Sequence, residues 1–283
     1  HPGWDEREEL FKTKIASSPE ARQIIARASS SPRPAETGGS SAGPAVAFTP
    51  LSPPSEAQKG FQAGLNLYRD GKHSQALEQW RSAANAGYPP AQWALGRLYD
   101  EGQGTQANIT EAISWYRKAA EQGYAPAQGT LGYIYGTGRG VSKDEAEAVK
   151  WYRKAAEQGN APAQGNLGVA YNTGRGVGKD EAEAVKWFRQ AAEQGYAPAQ
   201  DALGAMYAMG RGVGKDDPEA VKWYRKAAEQ GYASAQTNLG AMYATGRGVA
   251  KDEAEAVKWF RQAAQQGNVN AVTALRKLAP ISN

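Results

Sequence analysis

Residues 125–160 read APAQGTLGYIYGTGRGVSKDEAEAVKWYRKAAEQGN, and they contain two helices with a stop between them. Pro126 suits the first turn of a helix, where its missing N–H is not needed. Leu131, Gly132 and Tyr135 follow at helical spacing and make one buried stripe. Gly136, Gly138 and Gly140 then interrupt the helix, because glycine accepts positive φ without a Cβ penalty. Asp144, with Glu147 three residues on, has capping-box spacing, Asp taking the Ser/Thr role. Ala148, Trp151, Tyr152, Ala155 and Ala156 supply the packed face of the second helix, and Gly159 stands at its C′ position.

The segment recurs. Leu-Gly stands at Leu95-Gly96, Leu131-Gly132, Leu167-Gly168, Leu203-Gly204 and Leu239-Gly240, each step 36 residues. Trp followed by Tyr or Phe keeps the same step from Trp115-Tyr116 to Trp259-Phe260. The cap spacing returns as Asn108/Glu111, Asp180/Glu183, Asp216/Glu219 and Asp252/Glu255. A fixed period of this length is the mark of a solenoid. The expected fold is all-α, an α-solenoid of helix-turn-helix repeats over residues 89–268. One such pair cannot bury its own apolar face, so stacking of neighbours supplies the stability. In this reading Gly132 and its copies let the first helix (A) approach its neighbour. The Trp row fills the space between successive pairs, each buried Trp contributing about 3–5 kcal/mol.

The flanks differ. Residues 57–88 hold a shorter unit, with Gly64, Leu67, Gly71, Ala76, Trp80 and Ala83 at a 34-residue helix-turn-helix spacing. Residues 269–283 restart a helix A but place Arg276 where Gly is expected, and read as a capping half-repeat. Residues 1–28 have the pattern of short helices, with Ser18-Pro19 as a helix start. Residues 29–56, with 7 Ser, 6 Pro and 3 Gly, have the composition of a linker. The expected whole is a solenoid preceded by a largely irregular N-terminal tail.

The pattern A-x-A-x-x-x-L-G-x-x-Y-x-x-G-x-G-V-x-x-D-x-x-x-A-x-x-W-[YF]-x-x-A-A-x-x-G resembles the Sel-one-like repeat, a relative of the tetratricopeptide repeat. Repeats 2 to 5 meet it nearly in full, and repeat 1 departs at Thr105. Residues 57–88 are similar to a tetratricopeptide-type cap. The resemblance implies a right-handed superhelix, a role as an adaptor or scaffold for other proteins, and no catalytic activity. It also implies the settings in which such bacterial proteins commonly serve: envelope, signalling, secretion or host interaction.

Composition narrows the chemistry. With no Cys there is no disulfide framework, thiolate metal site or cysteine nucleophile, and no run of eighteen apolar residues spans a membrane. A net charge of +4 is small for a nucleic-acid binder. The Gly-rich loops read G-x-G-x-G, follow a helix and lack G-K-[ST], so they are turns and not phosphate cradles. Arg139, Arg175, Arg211 and Arg247 form a row, but repeat 2 carries 5 basic and 4 acidic residues, so a solvated mixed face is expected. Asn108 matches a glycosylation acceptor and equally a helix N-cap. His1 with His73 is a thin basis for a copper clamp, and His73 after Gly71 reads as an exposed turn residue. No nucleophile–base pair, cofactor or metal cluster is apparent. A first residue other than Met points to a processed periplasmic or secreted protein, with a cytoplasmic location as the alternative.

The repeats are nearly identical, so positions that vary between them are free for recognition. Counted from the helix-A Gly, positions −3, +1, +4 and +5 are expected on the concave wall. The candidate groove residues are Trp93, Arg97, Asp100 and Glu101 in repeat 1, Tyr133 and Thr137 in repeat 2, and Val169 and Asn172 in repeat 3. Asp201 and Met209 in repeat 4, and Thr237 and Thr245 in repeat 5, complete the set. Trp93, Tyr133 and Arg97 make an aromatic and charged end, and small residues beyond leave room for a partner's helix or extended peptide. The expected partner is another protein, with a second contact possible through the tail; the alternative is a cell-wall glycan stacked on the aromatics.

Overall fold

The computed structural model describes residues 55–278, which form thirteen α-helices and, among those residues, no strand. In order they are α1 Glu56–Arg69, α2 His73–Asn85, α3 Pro89–Glu101, α4 Ile109–Glu121, α5 Ala125–Thr137, α6 Glu145–Glu157 and α7 Ala161–Thr173. Then come α8 Glu181–Glu193, α9 Ala197–Met209, α10 Asp217–Glu229, α11 Ala233–Thr245, α12 Glu253–Gln265 and α13 Val269–Leu278. The expectations for residues 1–54, including the helix start at Ser18-Pro19, the linker and His1, lie outside the described residues, as does Pro280.

Odd-numbered helices from α3 to α11 are the A helices of five repeats, and even-numbered helices from α4 to α12 are the B helices. Each A helix ends at a glycine in the left-handed region, as at Gly138 with φ 76°. Each B helix ends in a Schellman arrangement. At α6 the Gly159 N–H donates to the Ala156 carbonyl and the Asn160 N–H to the Ala155 carbonyl.

The core lies between the B helix of one repeat and the A helix of the next. One cluster joins Ala112, Ile113, Tyr116 and Ala119 of α4 to Ala127, Leu131 and Ile134 of α5, with Trp151 of α6 packed against it. Among the described residues the five buried polar side chains are glutamines at one place in each A helix, Gln92 to Gln236. Gln128 Nε2 donates to the Ala120 carbonyl at 3.1 Å, and its Oε1 accepts from Gln158 Nε2 at 2.7 Å. Burial is thus matched by bonds on both sides, which removes its desolvation penalty.

The helix-A glycines allow the close approach expected of them, and two other expectations, the capping box and His73, need correction. The helix-A glycine faces an aromatic ring: a Cβ at Gly132 would stand 2.5 Å from the Tyr152 ring, and Gly168 and Gly204 meet Phe188 and Tyr224 in the same way. The Tyr or Phe after each Trp is therefore the residue against glycine, and the Trp row packs between successive pairs, with Trp115, Trp223 and Trp259 buried and Trp151 and Trp187 half-buried. The capping box is half-made in α6, α8, α10 and α12. Asp144 accepts from the Glu147 N–H at 2.9 Å, but Glu147 spends its carboxylate on Lys150 and the Asp144 N–H bonds the Tyr135 carbonyl. Both halves form at Ser55 and Gln58 of α1.

The arginine row is an exposed mixed face, with Arg139, Arg175 and Arg247 exposed and Arg211 half-buried, and three of the four also bond the preceding repeat. Arg139 reaches Asp100 of the preceding repeat at 2.9 Å, Arg211 reaches Glu181 and Asn172, and Arg247 reaches Asp217 and the Ala208 carbonyl. Last, His73 opens α2 half-buried, its ring edge-on to Tyr68 at 4.8 Å.

Candidate functional site

The varying positions share one face of the A helices, and that face divides along the stack. At its N-terminal end α3 carries Trp93, Arg97 and Glu101 at successive turns. The Arg97 guanidinium lies 5.5 Å from the Trp93 ring centre and pairs with Glu101. Burial opposes the charge on Arg97, and Glu101 beside it outweighs that and holds its pKa above the ordinary value. Asp100 is bidentate with Arg139. Burial raises its carboxyl above the ordinary range despite that cation. The Tyr116 hydroxyl is pushed well up, chiefly by burial and then by Asp100.

Several candidates also join one A helix to the next. Trp93 Nε1 donates to Thr130 Oγ1 at 3.1 Å, linking α3 to α5. Asp201 accepts from Ser234 Oγ and Asn238 Nδ2, both at 2.8 Å, linking α9 to α11. Asn172 accepts from Arg211 at 2.9 Å. Sequence reading missed these seam bonds because each partner lies 33 to 39 residues away and in a different repeat.

The rest of the face is uncharged. Tyr133 is half-buried against the core of repeats 2 and 3. Val169 is 44% exposed and Met209 56%. Thr137, Thr173 and Thr245 are exposed, and each donates its hydroxyl hydrogen to a carbonyl of its own helix at 2.7–2.8 Å. Thr237 is half-buried and does the same to Ala233 at 2.9 Å. The structure thus brings Trp93, Arg97, Asp100 and Glu101 together, and spreads the other candidates one per turn along successive helices.

Among the described residues no group of His, Asp and Glu side chains could hold a metal ion, and no helix is long and apolar enough to cross a membrane.

Comparison with known proteins agrees with this architecture. A Sel1 repeat family model matches residues 89–124, 125–160, 161–196, 197–232 and 233–268. A Sel1 repeat protein of Oxalobacter formigenes is 40% identical, with a TM-score of 0.74, over 79% of this chain and 92% of that one. A protective antigen of uropathogenic Escherichia coli strains, with an SLR fold, is 39% identical with a TM-score of 0.72, over 79% of this chain and 49% of that one. An exopolysaccharide production negative regulator of Rhizobium meliloti is 36% identical over 78 residues, 26% of this chain; the match spans 29% of that relative's length. Sel1 repeats generally serve as protein-interaction scaffolds, and the family is typically non-catalytic. The period, the paired helices and the five matched units agree: this chain belongs to the Sel1 repeat family.

Proposed function

We propose that the chain is an adaptor that holds a segment of a partner protein along the A-helix face, as part of a bacterial envelope, secretion or signalling assembly. One observation carries the reading. Across near-identical repeats, variation concentrates on the accessible face of the A helices while the B helices stay almost constant. A fold needs its constant positions, so a varied, accessible row is where recognition can be written without cost to packing. Trp93 and Tyr133 are aromatic, half-buried and fixed by their neighbours, which suits them as anchors that lose little entropy on binding. The glycan alternative is less well supported, because a sugar needs several polar groups to receive its hydroxyls. On this face Asp100, Asn172 and Asp201 already accept bonds from the protein itself.

The test is affinity capture from native lysate and envelope extract with the intact chain and with Trp93→Ala/Tyr133→Ala. The expected result is a protein captured by the first bait and lost from the second, with both baits helical by circular dichroism. Equal capture by a folded double variant would move the site away from this face.

A further inference from the structure

One pair of side chains per seam lies between successive A helices: the residue three before the helix-A glycine, and the residue that precedes the next A helix. Between α1 and α3 the pair is Phe61 and Tyr88, whose rings meet edge-on at 5.5 Å. Between α3 and α5 it is Trp93 and Tyr124, edge-on at 6.1 Å. Between α7 and α9 the Tyr196 ring lies on Gly165, where a Cβ would stand 2.8 Å from it. Between α9 and α11 the pair is Asp201 and Tyr232; Asp201 is bonded on to Ser234 and Asn238, and Tyr232 packs into the core. Between α5 and α7 the wedge holds no aromatic. Gly129 faces Asn160, whose Oδ1 would lie 3.4 Å from a Cβ at Gly129 and accepts from the Ala163 N–H of its own helix. With so thin a wedge, α5 and α7 stand closer together than other successive A helices.

The loop edge shows the same contrast at an independent place. Arg139, Arg211 and Arg247 each bond the preceding repeat. Arg175 has Gly136 where Arg139 has Asp100 and Arg211 has Asn172, and among the described residues it bonds nothing in repeat 2. Side-chain bonds from repeat 2 to repeat 3 lie on the B-helix side. Arg153 donates to the Tyr171 hydroxyl at 2.7 Å, and Gln164 Nε2 to the Ala156 carbonyl at 3.1 Å. Tyr133 adds apolar contact across the seam. Apolar contact is non-directional and survives a small tilt, whereas hydrogen bonds and charge pairs weaken steeply once misaligned. Gly129, Gly132 and Gly136 also give α5 the most permissive backbone of the A helices.

We infer that the seam between repeats 2 and 3 is the hinge of the solenoid. The blocks α1–α6 and α7–α13 tilt against each other about the B-helix bonds, and the A-helix side opens between Gly129 and Asn160. The curvature of the A-helix face is thereby adjustable at one place, whatever that face binds. The chain has no Cys, so pairs of introduced cysteines carry spin labels without background. Thr137→Cys/Met209→Cys spans the hinge and the seam after it, while Thr173→Cys/Thr245→Cys spans two seams beyond it; all four positions are exposed. Pulsed dipolar spectroscopy on the intact chain should give the first pair a broader distance distribution, extended toward longer distances. Adding Asn160→Tyr and Gly136→Asp to the first pair should narrow it to the width of the second. The new ring would lie on Gly129 as Tyr196 lies on Gly165, and the new carboxylate would meet Arg175 as Asp100 meets Arg139. Circular dichroism checks that the labelled proteins are helical; if the double change lowers helicity, Gly136→Asp alone is added and should narrow the distribution in part. Equal widths for the two pairs would overturn the inference. So would a broad first distribution that the added side chains leave unchanged in a helical protein, because the missing ties would then not be its cause.

Discussion

Asp201 shows what a single residue contributes to a seam. Its carboxylate lies between α9 and α11 and accepts from two neutral donors. Burial raises its pKa, and the two hydrogen bonds only partly offset that. A carboxyl whose native pKa lies above its unfolded value binds more protons in the native state. Stability therefore falls as pH rises from the unfolded value through the raised native one, and the deficit is complete above it. Asp201→Asn keeps an acceptor for Asn238 and gives Ser234 a donor, without the buried charge. Its Tm relative to wild type should climb as pH rises from the ordinary carboxyl range and level off above the raised native value; a difference independent of pH would refute the account. Neither the bonds nor the shift was legible beforehand, because Ser234 replaces a proline that most repeats keep and its partner lies 33 residues back. Gly132 was legible as special but not for its cause. Tyr152 and the preceding Trp151 are adjacent in sequence and about 100° apart on a helix, and sequence alone does not tell which of the two meets the glycine.

At the scale of the element, helix boundaries were the most readable feature. Proline in the first turn, Asp before the B helix and glycine after each helix are local signals whose physics needs no tertiary partner. The capping box failed in part for the same reason it was predicted. Glu147, Glu183, Glu219 and Glu255 stand at N3, but each is drawn to a lysine three residues on. In repeat 1 that lysine is Ser114, and Glu111 turns to Trp115 Nε1 at 2.9 Å instead. The two halves of the motif should then separate by mutation. Asp180→Ala removes the acceptor for the Glu183 N–H and should cost about 1 kcal/mol. Glu183→Ala loses only an ion pair with a largely exposed lysine and should cost less than about 0.5 kcal/mol. Urea denaturation of the two variants decides it; equal losses would mean that the reciprocal bond forms in solution.

The whole molecule is a line of seams, and its stability is close to a sum over neighbours. The seams share a B-helix arginine bonded to the next A-helix tyrosine hydroxyl, as Arg117 to Tyr135 and Arg153 to Tyr171. They differ in the loop arginine. Arg139, Arg211 and Arg247 each clamp the preceding repeat, through Asp100, Asn172 and Glu181, or Asp217. Between repeats 2 and 3 that clamp is missing among the described residues. Gly136 occupies the place of Asp100 and Asn172, and Glu145, the other acid near Arg175, is held by Lys143 at 2.6 Å. Gly136→Asp tests whether an acid at this place is what holds the loop arginine in the other seams. A Cβ fits there, the new carboxylate stands 39 residues before Arg175 as Asp100 does before Arg139, and the helix loses a glycine. Stability should rise by about 0.5–1 kcal/mol from the exposed pair and the helix propensity together. Amide exchange at the ends of α5 and α7 should slow. A Tm that is unchanged or lowered, measured by thermal denaturation, would refute the pairing with Arg175.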